Sequence, residues 1–474
     1  MTASSAHELL IVVLALAYVL TSAVATADVL LRNRSVRAAI GWISLVWLSP
    51  IIGAALYSVL GVNRVRRRAL NLRRPGASRD PARVRPSSAT LPENLAVLAR
   101  VVRSLTGQEL ASGNRIDILR SGDEAYPAML AAIRQASTSV ALASYIFRAD
   151  DAGLAFAKAL EEAVARGVEV RVLVDGFGAG YPSSPIARAL RRRDITVARF
   201  LHSWSPWRMP YLNLRLHKKI LVVDGVVGFT GGINISGDNV LAKSPAHPVD
   251  DIHFCLQGPA VRHLMLAFAE DWSFTTGEML SEARWWPEPA DAGPVLARGF
   301  SSGPDHTVGR LPAVIAEAIG SARRHLKIVT PYFLPDEDLL FTLELAALRG
   351  ATVDIVLPER SNHIVIDWAS RAHLGFLAAA VRIHLSPPPF SHAKLMTVDG
   401  EWCLLGTPNW DVRSARLNFE FSLECYDRAL TGEIDRIIDE RMSSARLVTP
   451  AQLAARALPL KLRDGAARLL LPYL

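Results

Sequence analysis

The reading of this chain turns on two nine-residue stretches, "HKKILVVDG" (217–225) and "HAKLMTVDG" (392–400). Each carries His-x-Lys, four further residues and Asp-Gly, so His217, Lys219 and Asp224 answer His392, Lys394 and Asp399. The correspondence runs on past the motif: Gly231 answers Gly406, and Asn234 answers Asn409. It also runs backwards, with "RGVEVRVLVD" (166–175) echoing "RGATVDIVLP" (349–358), and "TSVALASYIFRADDAG" (138–153) echoing "RHLKIVTPYFLPDEDL" (324–339). A unit of this size occurring twice in register is one fold used twice.

Each copy reads as strand, turn, strand. Residues i and i+2 of a strand project from one face, so His217 with Lys219, and His392 with Lys394, point together into one space. Asp-Gly after each apolar run predicts a hairpin turn, and the returning strand brings Asn234 or Asn409 back beside the first. In such a turn the aspartates Asp224 and Asp399 have a natural role in holding the loop. Around these strands, apolar runs alternate with amphipathic stretches such as "LAFAKALEEAVARG" (154–167) and "PAVIAEAIGSARRH" (312–325), which predicts α/β architecture with a mixed sheet in each half.

Two imidazoles, two ammonium groups and two carboxamides, brought together by pseudo-twofold pairing of the halves, suit a phosphodiester. Ammonium groups neutralise the nonbridging oxygens and the charge that grows in the transition state, and amides donate hydrogen bonds. One histidine attacks phosphorus while the other protonates the leaving alkoxide and then deprotonates the acceptor. This scheme asks for no metal and no cofactor.

The 474 residues exceed one ordinary domain and leave room for an N-terminal addition. Residues 9–27 and 38–61 contain no charged side chain, and each is long enough to cross a bilayer, the second with a kink at Pro50. A cleaved signal peptide is disfavoured, because no Lys or Arg precedes the first run and a second follows at once. Between Arg64 and Arg85 stand nine arginines and a single acid, Asp80, which accounts for the whole formal charge of +8. The rest of the chain is electrically balanced, which argues against a nucleic-acid groove. A basic run directly after a membrane helix is what anionic headgroups attract, and it also favours a cytoplasmic catalytic part. The expected organisation is a transmembrane hairpin (1–63), a basic linker with a short helix (64–105), and halves at 106–300 and 301–474. Three cysteines, Cys255, Cys403 and Cys425, have no metal or redox spacing and read as reduced core residues.

The paired His-x-Lys-x4-Asp motifs, with "GFTGGINI" (228–235) and "LLGTPNWDVRSARLNFE" (404–420), resemble the phospholipase D superfamily. The layout, including "WLSPIIGAALYSVLGVNRVRR" (47–67), "SSGPD" (301–305), "TPYFLPD" (330–336) and a terminal "LLLPYL", is similar to the superfamily's bacterial cardiolipin synthase branch. That resemblance implies two phospholipase D-type halves and a two-step phosphatidyl transfer between phosphatidylglycerol molecules at the bacterial inner membrane. It implies His217 as nucleophile and His392 as acid and base, or the reverse. The motif aspartates Asp224 and Asp399 count with the catalytic set, Lys219, Lys394, Asn234 and Asn409 hold phosphate, and Asp251 and Glu420 orient the histidines. The alternatives within the fold are hydrolysis or transfer to another alcohol, and a membrane-tethered nuclease. This sequence departs from the family pattern at Leu216, Lys218, Val249, Thr407 and Pro408, which bears on the acceptor. The aromatic stretch 202–212 is a candidate lipid-facing lip, and 458–474 either packs on the core or lies on the membrane.

Overall fold

The computed structural model describes residues 3–32, 36–60, 84, 86–87, 89–203, 214–377 and 380–470. The nine arginines of 64–85, residues 204–212 of the aromatic stretch and the last four residues lie outside these. The chain forms two compact units, Met1–Arg74 and Pro75–Leu474.

Among its described residues, the first unit has three apolar helices, α1 (Ala3–Arg32), α2 (Val36–Leu48) and α3 (Pro50–Leu60). Within α1, Ile11–Leu31 is long and apolar enough to cross a membrane. The second apolar run is broken at Ser49, as expected for Pro50, whose missing N–H removes one rung from the helical ladder. Hydrogen bonds tie the helices together: Trp47 Nε1 donates to Thr26 Oγ1 at 3.0 Å and the Tyr57 hydroxyl to Asp28 at 2.8 Å.

The second unit is built on β1 (Ala111–Arg120), β2 (Ser139–Ser144), β3 (Glu169–Asp175), β4 (Thr196–Phe200), β5 (Arg215–Leu216), β6 (Ile220–Val223), β7 (Val227–Gly231), β8 (Val249–Asp250) and β9 (Ile252–Gln257). The second set is β10 (Val295–Ser302), β11 (His325–Val329), β12 (Phe333–Leu334), β13 (Thr352–Pro358), β14 (Arg382–Ser386), β15 (Phe390–Ser391), β16 (Leu395–Val398), β17 (Trp402–Gly406), β18 (Trp410–Asp411), β19 (Asn418–Tyr426) and β20 (Arg446–Val448). One sheet runs β20-β14-β13-β11-β16-β17-β19-β10-β1-β9-β7-β6-β2-β3-β4. Read outward from the antiparallel seam between β1 and β10, the two directions repeat: β9, β7, β6, β2, β3, β4 on one side match β19, β17, β16, β11, β13, β14 on the other. The duplicated sequence has become a pseudo-twofold sheet.

Each half has its own apolar core. In the first, Phe156, Leu160 and Ile133 of the flanking helices pack on Val172, Leu221 and Phe229. In the second, Leu311, Val314 and Leu343 cover Ile328, Ile355 and Met396. The helix Glu93–Thr106, although it precedes the first half in sequence, inserts Leu95, Leu98 and Val102 into the core of the second. Sequence order hides this because the residues that helix meets lie more than two hundred positions downstream.

Candidate active site

The Asp-Gly pairs make the predicted turns. Asp224 and Gly225 have φ of 51° and 67°, and Asp399 and Gly400 have 55° and 72°, the doubly left-handed turn that joins β6 to β7 and β16 to β17. Each aspartate holds the loop before a neighbouring strand. Asp224 accepts from the backbone N–H groups of Ser137, Thr138 and Ser139, and Asp399 from those of Arg323, Arg324 and His325. Lying seven residues along an extended run, roughly 20 Å from the histidine of its motif, each is excluded from the reacting centre. Asp224 and Asp399, expected with the catalytic set, thus hold the turns of the hairpins that carry His and Lys.

The histidines are positioned by an exchange between the halves. β5 runs parallel to the start of β19, with Leu216 opposite Phe419, and β15 runs parallel to β8, with Ser391 opposite Asp250. The next residue along each pair is a histidine facing a carboxylate. Main-chain bonds from His217 N to Phe419 O (2.9 Å) and from His392 N to Asp250 O (2.7 Å) lock this register. Consequently His217 Nδ1 meets Glu420 Oε2 at 2.9 Å, and His392 Nδ1 meets Asp251 Oδ2 at 2.7 Å. Each imidazole is oriented by the acid of the opposite half. A carboxylate on Nδ1 fixes that nitrogen as the N–H and leaves Nε2 with its lone pair.

Both lysines lie in the same space. Lys219 Nζ donates to the carbonyl of His217 at 2.8 Å and stands 5.4 Å from the centre of the Tyr145 ring. Lys394 Nζ donates to the carbonyl of His392 and lies 2.9 Å from Nδ1 of that ring. All four groups are buried. Burial pulls His217 and His392 down to about 4, aided in both rings by the charges of Lys219 and Lys394 and opposed by Glu420 and Asp251 respectively. The charges of both lysines reach both imidazoles, which puts the four groups in one neighbourhood. Burial likewise lowers Lys219 to about 7, and Lys394 in the same direction. Burial alone would raise Glu420, but His217 and Lys219 outweigh it and hold its carboxyl at about 2.

Asn234 Oδ1 accepts from Ile146 N at 3.1 Å, which turns its NH2 group outward as a donor. Asn409 is buried, its backbone N–H bound to Ser414 Oγ at 3.2 Å. Two residues not singled out from sequence complete the walls: Tyr145 lies edge-on to His217 with ring centres 5.0 Å apart, and Tyr332 edge-on to His392 at 6.1 Å. They occupy matching places in "SYIF" and "PYFL", so the internal repeat contained the signal. Of the family departures, Thr407 donates to Glu420 at 2.5 Å and thus supports an orienting acid. Lys218 points to the opposite face, where it pairs with buried Asp271 at 2.7 Å.

A doubled sheet whose halves exchange carboxylates to aim two imidazoles and two ammonium groups at one point is the architecture of phospholipase D-type phosphodiester transferases. Residues 129–272 and 315–442 match the family described as "Cardiolipin synthase, PLD-like domain". A cardiolipin synthase of Geobacillus kaustophilus is 30% identical over 458 residues, 94% of this chain and 90% of that protein. Cardiolipin synthase 1 of Bacillus anthracis is 30% identical over 466 residues, covering 94% and 91%. Among solved structures, the phosphatidylserine synthase of Haemophilus influenzae superposes with a TM-score of 0.62 at 16% identity, covering 80% of this chain and all of that one. The chain belongs to the cardiolipin synthase family of phospholipase D-like proteins.

Proposed function

We propose that this protein transfers a phosphatidyl group from one phosphatidylglycerol to a second, yielding cardiolipin and glycerol. The observation that carries the reading is the exchanged pairing of His217 with Glu420 and of His392 with Asp251. With both Nδ1 atoms occupied by carboxylates, both Nε2 atoms are left to act on one phosphorus, with Lys219 and Lys394 beside them in this reading.

In the first step His217 Nε2 attacks phosphorus, a P–N bond forms and the P–O bond to glycerol breaks. The departing oxygen takes its proton from Nε2 of protonated His392. The bound phosphodiester carries a negative charge that offsets the two ammonium groups, and so raises the affinity of His392 for that proton above its value in the free protein. In the second step neutral His392 takes the proton from a hydroxyl of the second phosphatidylglycerol. That oxygen attacks phosphorus, the P–N bond breaks, and both rings return to their starting states. Lys219, Lys394 and the amide groups of Asn234 and Asn409 face the nonbridging oxygens, whose charge increases between ground and transition state.

The protein is read as a two-pass membrane protein, with α1 as one span and α2–α3 as the other. The catalytic unit lies in the cytoplasm, and the arginine run of 64–85 rests on anionic lipid. The first half is taken as 106–300 and the second as 301–474.

The test supplies purified protein with isotope-labelled phosphatidylglycerol in detergent, with chelator present, and identifies products by mass. Cardiolipin with equimolar glycerol is expected, and His217→Ala or His392→Ala abolishes it. Phosphatidic acid as the only lipid product overturns the transferase reading in favour of hydrolysis.

A further inference from the structure

The helix Leu458–Arg468 is arranged inside out. A surface helix of a soluble domain turns its leucines inward and its charges outward. Here the inward face carries Asp464, buried and ion-paired with Arg456 at 2.5 Å and Arg463 at 2.8 Å. The Arg463 guanidinium stacks 4.5 Å from the centre of the Trp368 ring, and Ala467 packs with Ala369 and Leu334. Core packing of this segment, one of the two readings of its sequence, thus holds for one face. These contacts fix the helix against rotation.

The outward face is leucine. Leu458, Leu462 and Leu469 are 67%, 65% and 80% exposed. At 3.6 residues per turn these three positions fall within about 40° of one another, a single stripe. Lys461 stands beside the stripe, and Arg468 at its end pairs with Glu337 at 3.7 Å. One turn along from Glu337, Phe341 is 60% exposed and extends the apolar surface onto the neighbouring helix.

Charge and position indicate what covers this stripe. Of the segment's four basic side chains, Arg456 and Arg463 are taken up by buried Asp464, while Lys461 and Arg468 flank the stripe, which complements an anionic surface. The helix beneath it, Ile364–Leu377, contributes Asp367, Ser370 and Arg371 to a shallow cleft that also reaches Tyr332, the ring edge-on to His392. The leucine stripe is therefore one helix removed from the catalytic pocket.

We propose that the helix Leu458–Arg468 is an interfacial membrane contact. Its leucines sink to the boundary between headgroups and acyl chains of an anionic bilayer, Lys461 and Arg468 lie at phosphate level, and the pocket mouth is held at the lipid surface. The proposal rests on the reading of the substrate as a membrane phospholipid and adds a second, C-terminal attachment to the N-terminal helices.

The test uses the full chain in vesicles of phosphatidylethanolamine and phosphatidylglycerol, with Leu462→Cys in a Cys255→Ser background labelled by an environment-sensitive fluorophore. Doxyl-labelled lipid is expected to quench this probe at least about twofold more than a probe at Glu433→Cys, on the helix Arg428–Ser444, if the stripe is immersed. Equal quenching at the two sites overturns the proposal and points to another occupant, such as a second copy of the chain. Because quenching needs no turnover, a quenched probe on a protein that makes no cardiolipin would leave this contact standing and refute only the reaction. A second measurement uses the triple variant Leu458→Gln, Leu462→Gln, Leu469→Gln, all at exposed positions. Its turnover on vesicles should fall about tenfold relative to its turnover in detergent micelles. An unchanged ratio overturns the contact.

Discussion

The exchanged carboxylates make a prediction that separates the two steps of the reaction. In Glu420→Gln, the amide that replaces the carboxylate still reaches Thr407, Asn418 and His217 Nδ1, so the fold is retained. What changes is charge and tautomer. An amide can present NH2 to Nδ1, which leaves the imidazole proton on Nε2 and removes the lone pair that attacks phosphorus. Loss of a charge-assisted bond is worth about 1.5–3 kcal/mol, and at 1.36 kcal/mol per decade that is about 10- to 150-fold in rate. The tautomer error carries the expected loss toward about 10⁴-fold, the size seen for the analogous change in serine proteases. Asp251→Asn removes the same support from His392. With His217 as nucleophile, Glu420→Gln slows formation of the phosphatidyl-enzyme. Asp251→Asn slows both protonation of the leaving glycerol and activation of the acceptor, so phosphatidyl-enzyme that does form persists. Samples denatured in alkaline detergent, where the P–N bond survives, and resolved by intact-protein mass without acid measure both. If Glu420→Gln keeps turnover within about threefold of the parent, the orienting role fails. If Asp251→Asn blocks formation while Glu420→Gln accumulates the adduct, the roles of the histidines are reversed.

Other consequences are equally direct. Burial lowers Lys219 to about 7, so the ammonium is lost as pH rises through that value. Because free His392 titrates lower still, the fall of kcat/KM with pH in mixed micelles should steepen above about pH 7, whereas the corresponding break in kcat lies at higher pH because bound phosphodiester favours the charged amine; a slope without a break from pH 6 to 9 contradicts the assignment. A Cβ at Gly232 would stand 2.3 Å from both carboxylate oxygens of Asp251, so Gly232→Ala should displace that acid and cost at least about tenfold in turnover, without touching substrate; full activity would show that Asp251 is not held where we place it. Asp399→Asn weakens three backbone hydrogen bonds far from the pocket and is expected to cost about 1–3 kcal/mol of stability in chemical denaturation, with turnover per folded molecule kept.

The sequence by itself determined the repeat, the α/β class, the apolar N-terminal helices and the chemical groups of the pocket. The reason is that His, Lys and Asn at fixed offsets from an Asp-Gly turn specify a local strand pair, and local geometry is written in neighbouring residues. The tertiary structure decided whose acid serves whose histidine. Glu420 is 203 positions from His217 and Asp251 is 141 from His392, and only the parallel docking of β5 on β19 and of β15 on β8 brings them together. It also set Asp224 and Asp399 to holding loops before neighbouring strands and put the helix Glu93–Thr106 on the second half. At residues 458–470 it turned leucines toward solvent that composition alone would have buried. Each of these depends on a surface supplied by a distant part of the chain, and periodicity within a segment carries no information about the partner it will meet.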